Sequence, residues 1–276
     1  MMAVGACSNA PETSPNGHAD RPSSPPPASS RPAQSTRPVP PSAAPTQPPN
    51  SASATATTQA KKAVVVLDPG HNGRNAAAPE EINRHVPAGR GRTKPCNTTG
   101  TATNDGYPEH AFTFDVAKRV RRLLRQQGIE VVMTRQSDDG VGPCVDRRAD
   151  IGNRTRADAV VSIHADGAEG TARGFHIAYS SPPLNAAQGK PSVRLARTLR
   201  DALRDAGFPL STYLGSDGLA PRDDLAGLNL SKRPVVLVEC GNMRNPQEAA
   251  TMKQAAGRQK YADAIADGVL RYLGAR

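Results

Sequence analysis

Short runs of consecutive apolar residues recur from residue 63 onward, each bounded by turn-forming or charged residues. The runs cover residues 63–68, 129–134, 159–164, 174–179 and 234–239. Apolar runs of this length, bounded by turns, are typical of strands that are buried on both faces of a parallel sheet. The pattern therefore predicts five buried strands.

Segments with apolar residues at helical spacing separate these strands. The clearest of them starts with a Pro-Glu pair at residues 108–109, which favours a helix start, and ends at a Gln-Gly pair. The four predicted helices cover residues 108–127, 146–158, 192–206 and 261–273. Because strands and helices alternate, the sequence predicts an α/β fold, a three-layer sandwich in which a mostly parallel, twisted sheet carries helices on both faces.

Composition divides the chain into two parts. Residues 1–60 contain half of the 26 prolines and few large apolar side chains, so they bury too little surface to offset the entropy of ordering. We expect residues 1–60 to form a disordered Pro/Ser/Ala-rich linker and residues 61–276 to form one domain. Within that domain, the polar segment 72–107 is typical of a lid or a binding loop.

The chain is basic, with a formal net charge of +10 and a pI of about 9.8. A basic surface can bind nucleic acid, an anionic wall polymer or a membrane surface, and it also occurs in proteins that bind no particular partner through it. Aromatic residues make up 3% of the chain and tryptophan is absent, so platforms on which bases could stack are lacking. With no zinc-finger or recognition-helix pattern either, nucleic acid is not an expected partner.

The four cysteines show no CxxC spacing. Cys96 and Cys144 each fall outside the predicted strands and helices, and we expect them to form a disulfide, which indicates an oxidising compartment. Cys240 ends an apolar run and is expected to be a buried free thiol. Val4-Gly5-Ala6-Cys7 is similar to a bacterial lipobox, so Cys7 is a candidate lipidation site and membrane anchor. The first residues lack the basic and apolar regions of a signal peptide. The alternative to a lipobox is therefore an ordinary short leader that carries no lipid.

Three predicted strands end at, or just before, a residue with catalytic chemistry. These residues are His71, His164 and Glu239. In open α/β sheets, ligands bind at the carboxyl ends of the strands, and two imidazoles with one carboxylate are typical of catalytic zinc. A histidine at a strand end can instead be a structural hydrogen-bonding group. These residues lie far apart in the sequence, so their spacing does not distinguish a zinc ligand from a structural histidine.

Four short motifs resemble a known family. They are Leu-Asp-Pro-Gly-His at 67–71, Glu109 at a helix start, Ser-Ile-His-Ala-Asp at 162–166 and Leu-Val-Glu-Cys-Gly at 237–241. Together they resemble the zinc-dependent N-acetylmuramoyl-L-alanine amidases of the Amidase_3 type, over nearly all of residues 61–276. The resemblance implies a phosphorylase/hydrolase-like fold for a catalytic amidase domain.

The resemblance also assigns roles to individual residues. It implies that His71, Glu109 and His164 bind Zn²⁺ and that Glu239 is the catalytic carboxylate. Cys240 and Asn242 depart from the family, which usually has a small hydroxyl residue and a phenylalanine there. These departures flank Glu239 without replacing it, so they affect the expected fit of the substrate more than the expected chemistry.

The implied reaction is hydrolysis of the amide bond between N-acetylmuramic acid and L-alanine in peptidoglycan or a muropeptide. Cell-wall remodelling, turnover or daughter-cell separation would use this reaction. We then expect an exported monomer of the cell envelope, periplasmic or extracellular, with a lipid anchor if Cys7 is acylated. The alternative is a zinc carboxypeptidase-like amide hydrolase that acts on wall peptides, and a non-catalytic wall-binding module is a third hypothesis.

Overall fold

A six-stranded sheet lies at the centre of the part of the chain that the computed structural model describes, residues 62–275. The predicted linker over residues 1–60, with Cys7, lies outside these residues. The strands of the sheet and of a separate hairpin are, in chain order, β1 (Val64–Pro69), β2 (His85–Gly89), β3 (Arg92–Pro95), β4 (Glu130–Met133), β5 (Ala159–Asp166), β6 (His176–Ser180), β7 (Leu219–Arg222) and β8 (Val235–Asn242).

The sheet is mostly parallel, as predicted. Its strand order is β4-β1-β5-β8-β6-β7, while β2 and β3 form the separate antiparallel hairpin. Strands β4, β1, β5 and β8 run parallel to one another, and β6 pairs antiparallel with β8. The final strand, β7, is parallel to β6. All five apolar runs of the sequence therefore form strands of this one sheet.

Helices cover both faces of the sheet, which confirms the three-layer sandwich. They are α1 (Pro79–Asn83), α2 (Glu109–Gln126), α3 (Val145–Arg154), α4 (Lys190–Asp205), α5 (Ala226–Asn229), α6 (Pro246–Lys253) and α7 (Ala255–Leu273). On one face, α2, α4 and α7 pack into a large apolar core. On the other face, α3 and α5 cover a smaller apolar cluster.

The periodicity of α2 explains how it packs. Phe112, Val116, Val120 and Leu124 recur every fourth residue, and all four are fully buried. Residues spaced in this way lie on one side of a helix, so α2 presents one continuous apolar stripe to the sheet. Packing of this stripe fixes the direction of the helix and places its first residue, Glu109, at the sheet edge where β1 ends.

The segment 72–107 is more ordered than its composition predicts. It contains α1 and the hairpin formed by β2 and β3. Along β2, Val86 and Ala88 are buried while His85 and Pro87 are exposed. This alternation over only five residues is typical of a half-buried strand, but the polar composition of the whole segment hides it.

A disulfide between Cys96 and Cys144 ties the hairpin to α3, as the sequence predicts. Cys96 follows β3, and Cys144 directly precedes the first residue of α3. The bond closes a loop across a separation of 48 residues, for which the chain-entropy model gives a stabilisation of about 4 kcal/mol. Cys240 is a buried free thiol, also as predicted.

Candidate metal centre and catalytic carboxylate

The register of the sheet aligns three polar side chains. His164 of β5 is paired with Glu239 of β8, and Glu239 is paired on its other side with His176 of β6. Directly paired residues project from the same face of a sheet. His164, Glu239 and His176 therefore form one row across three adjacent strands, on the face that α3 and α5 cover. We call these three residues the polar row.

His71 joins this row from the end of β1. The backbone amide of Gly70 still donates to the carbonyl of Ile163 on β5, at 3.0 Å, and the chain turns immediately afterwards. His71 takes a left-handed conformation, with φ of 59°, which is uncommon for a residue with a side chain. Contacts on both sides stabilise this turn: Nδ1 lies 3.1 Å from the carbonyl oxygen of Thr98, and Arg148 donates to the backbone carbonyl of His71.

Glu109 lies between the two histidines. Its Oε2 is 3.0 Å from Nε2 of His71, and its Oε1 is 2.9 Å from Nδ1 of His164. Backbone amides of Thr101 and Ala165 donate to the same two oxygens. Burial alone would raise the pKa of Glu109, but the neighbouring His71 and His164 outweigh burial and hold it below its usual value. The carboxylate is therefore ionised at neutral pH.

The three side chains together have the arrangement of a metal site. One ligand atom from each of His71, Glu109 and His164 lies within 4.8 Å of the other two. Burial opposes protonation of His71, whereas Glu109 favours it and raises the His71 pKa above its usual value. A cation that binds here therefore competes with a proton for His71, as is general for metal sites built from imidazoles.

A buried ion pair supports the turn that carries His71. The carboxylate of Asp68 accepts hydrogen bonds from Thr134, Ser162 and Arg148. Arg148 also donates to the carbonyl oxygens of Pro69 and His71. Through these bonds, one guanidinium from α3 fixes the last residues of β1 and the backbone of a candidate metal ligand.

Glu239 lies outside this triad but opens onto the same cavity. A cavity of about 530 Å³ is lined by His71, Glu109, His164 and Glu239. Burial, together with the carboxylates of Glu109 and Asp166, raises the pKa of Glu239 well above its usual value. Its Oε2 atom is buried without a hydrogen-bond partner among the described residues. The cavity thus holds a candidate metal centre and, separate from it, a carboxylate with a raised proton affinity.

The site contains residues that the sequence analysis left aside. His176 belongs to none of the four sequence motifs, yet it is only 1% exposed and is paired with Glu239. Asp68 and Arg148 carry the ion pair and were not singled out. Helical phase is a signal that could have found Arg148, because it shares the buried side of α3 with Ala149 and Gly152 while Arg147 is exposed.

We expect Gly70→Ala to weaken metal binding. A Cβ atom at Gly70 would lie 2.2 Å from Cε1 of His164, so the ring must leave its position. Displacement of one ligand should lower metal affinity at least as much as loss of a supporting contact, which costs about 10- to 100-fold. Metal content after dialysis and competition with a chromophoric chelator measure this change.

Gly140→Ala provides the control, because a Cβ atom there meets only an ordinary contact of 3.5 Å. Unchanged metal affinity in Gly70→Ala would contradict the assignment of His164 as a ligand.

Comparison with known proteins identifies the family of this chain. The family model Amidase_3, described as N-acetylmuramoyl-L-alanine amidase, matches residues 65–271. The N-acetylmuramoyl-L-alanine amidase Rv3717 of Mycobacterium tuberculosis is 52% identical over 210 residues, which are 76% of this chain and 86% of the relative. The amidase AmiA of Escherichia coli is 32% identical over 246 residues, covering 77% of this chain and 76% of AmiA.

A solved structure extends the agreement to the fold. The crystal structure of the N-acetylmuramyl-L-alanine amidase Ami1 from Mycobacterium smegmatis matches with a TM-score of 0.75 and 56% sequence identity. The match covers 78% of this chain and 98% of Ami1. The family model, the relatives and the fold all agree, and the chain belongs to the Amidase_3 family of N-acetylmuramoyl-L-alanine amidases.

Proposed function

We propose that the chain is a zinc-dependent amidase that hydrolyses the bond between N-acetylmuramic acid and L-alanine in peptidoglycan. The observation that carries the proposal is the convergence of His71, Glu109, His164 and Glu239 on one cavity. Membership in the amidase family supplies the class of bond. We assign His71, Glu109 and His164 as metal ligands and Glu239 as the catalytic carboxylate.

The donor atoms of the triad fit zinc. Two imidazole nitrogens and one carboxylate oxygen, with further positions left for water or substrate, form a ligand set typical of catalytic zinc sites. Magnesium and calcium prefer ligand sets made only of oxygen atoms, whereas two of these three donors are nitrogen atoms. When bound, zinc polarises a carbonyl group and lowers the pKa of water to about 7.

Glu239 supplies the proton transfers of the proposed reaction. Its carboxylate takes a proton from the water that attacks the lactyl carbonyl carbon, and it then delivers this proton to the nitrogen of L-alanine as the carbon–nitrogen bond breaks. The products are the free lactyl carboxylic acid and the free amine of the peptide. Burial beside Glu109 and Asp166 raises the pKa of Glu239, which favours holding the proton between the two transfers.

Mass spectrometry of digested muropeptides tests the proposal. Wild-type protein should release the intact stem peptide and a sugar that ends in free N-acetylmuramic acid. Glu239→Ala and chelator-treated protein should release neither, and zinc should restore the chelated sample. Release of single amino acids would instead favour the carboxypeptidase-like alternative, and metal-free protein with full activity would contradict the assignment of a zinc cofactor.

The proposed substrate also places the protein in the cell envelope. Peptidoglycan lies outside the cytoplasmic membrane, and the disulfide between Cys96 and Cys144 suits an oxidising compartment. Among the helices of residues 62–275, none combines the length and the apolarity of a membrane-crossing segment. We propose an exported monomer with its catalytic domain in residues 61–276, a linker in residues 1–60 and lipid attachment at Cys7.

A further inference from the structure

Two buried polar atoms without partners lie on neighbouring members of the polar row. Nδ1 of His176 and Oε2 of Glu239 are both buried, and neither forms a hydrogen bond to the described residues. A buried polar group without a partner costs about 1–3 kcal/mol, and such groups are rare in folded proteins. Two of them on adjacent side chains of an active site therefore call for a functional explanation.

The sheet register places these two side chains within reach of each other. His176 and Glu239 are directly paired between the antiparallel strands β6 and β8. In such pairs the Cβ atoms lie roughly 4.5–5.5 Å apart, so small rotations of the two side chains suffice for a hydrogen bond. His164 occupies the opposite side of Glu239 in the same row. Glu239 therefore lies between a candidate metal ligand and His176.

The surroundings restrain the His176 ring. The residue is 1% exposed, and the ring of Tyr213 packs edge-on against it, with ring centroids 5.8 Å apart and planes at 82°. Burial lowers the pKa of His176 to about 4, with Asp166 opposing and Arg222 reinforcing this shift. At neutral pH the ring is therefore uncharged and carries a single N–H group, which donates a hydrogen bond without giving up its proton.

We propose that His176 is a positioning residue for Glu239, whose Oε2 accepts a hydrogen bond from Nδ1–H of His176 while the other oxygen, Oε1, serves the reacting water and the leaving nitrogen. This role rests on the proposed amidase function. It fixes the rotation of the carboxylate, so that one oxygen is always directed at the substrate. His176 itself exchanges no proton and contacts no substrate atom.

Three substitutions of His176 and steady-state kinetics on a defined muropeptide test the role. His176→Ala removes the donor, and we expect kcat to fall about 10- to 100-fold, the range for supporting residues around metal centres. KM and bound zinc should stay unchanged. His176→Asn places an amide nitrogen near the position of Nδ1 and should recover most of the loss, whereas His176→Gln reaches the position of Nε2 and should not. His85→Asn, at an exposed histidine of β2, controls for the substitution itself.

Several outcomes would overturn the proposal. They are wild-type kcat in His176→Ala, a raised KM at wild-type kcat, and equal losses in the Asn and Gln variants at equal melting temperatures. The comparison of Asn with Gln keeps its force if His176→Ala does not fold, because both variants retain a polar amide. Wild-type protein that leaves the muropeptide intact would contradict the amidase function, whereas active wild type with equally active variants would contradict only the role of His176.

Discussion

Glu239→Gln is expected to lower kcat on a muropeptide by about 10²- to 10⁴-fold, the usual contribution of a general acid–base residue. Glutamine keeps the shape of the side chain but cannot take up the proton of the attacking water. Glu239 does not belong to the triad of candidate ligands, so the variant should bind metal as the wild type does. Single-turnover kinetics on a defined muropeptide, with metal content measured on the same sample, separates the two properties.

Glu169→Gln is the matched control, since it makes the same change at an exposed carboxylate of the loop after β5. It should leave both kcat and metal content unchanged. A Glu239→Gln variant with nearly wild-type kcat would show that another group carries the proton. A variant that loses its metal would show instead that Glu239 is a ligand.

Arg148→Ala is expected to lower the free energy of unfolding by about 3–5 kcal/mol, the cost of removing one partner from a buried ion pair. The change leaves the Asp68 carboxylate without its charged partner and removes the donor to the carbonyls of Pro69 and His71. Burial alone would raise the pKa of Asp68, but Arg148, Thr134 and Ser162 outweigh it and keep the pKa below its usual value. Urea denaturation at neutral pH measures the loss.

The sign of this effect with pH follows from the lowered pKa of Asp68. The ion pair stabilises the wild type above the pKa of an unfolded aspartate, about 3.9, and this stabilisation is lost as the pH falls further. Arg148→Ala lacks this contribution, so the difference between the two proteins should narrow at acid pH.

Arg154→Ala controls for loss of an arginine from the same helix. Its pair with Asp150 is exposed, and such pairs contribute about 0–1 kcal/mol. An equal, small effect of both substitutions would contradict the structural role of Arg148. The double variant Asp68→Asn, Arg148→Met should be more stable than Arg148→Ala, because no buried charge is then left without a partner.

The fold was predictable wherever burial is two-sided or strictly periodic. Val65 and Val66 point to opposite faces of the sheet and both are fully buried, so β1 stands out as a continuous apolar run. The hairpin and β7 lack that signal, since their strands carry charged or exposed residues. The helix predicted to reach residue 158 ends at Arg154. Arg156 then takes a left-handed conformation, and the amino-acid composition of this segment does not predict that turn.

A residue of the site was predictable where the pattern that marks it lies next to it in the sequence. His71 and His164 follow apolar runs, so position along a strand identifies them as candidates. Glu109 reaches the site from the start of a helix in another layer, and only family resemblance separates it from any acidic residue in a first helical turn. The neighbour relation of His176 and Glu239 depends on the antiparallel pairing of β6 with β8. No sequence pattern fixes that pairing.

The polar row also sets how the chain can tolerate insertions and deletions. Side chains alternate between the faces of a strand, so removing one residue from β8 before Glu239 would rotate the carboxylate to the opposite face. There it would enter the apolar core formed with α2, α4 and α7, and Val238 or Cys240 would face the cavity instead. Length changes within β5, β6 or β8 should therefore abolish the enzyme outright. The same changes in the turn at residues 126–128, which is exposed and joins α2 to β4, should leave it working. Strands β5, β6 and β8 therefore tolerate changes of length less well than this turn does.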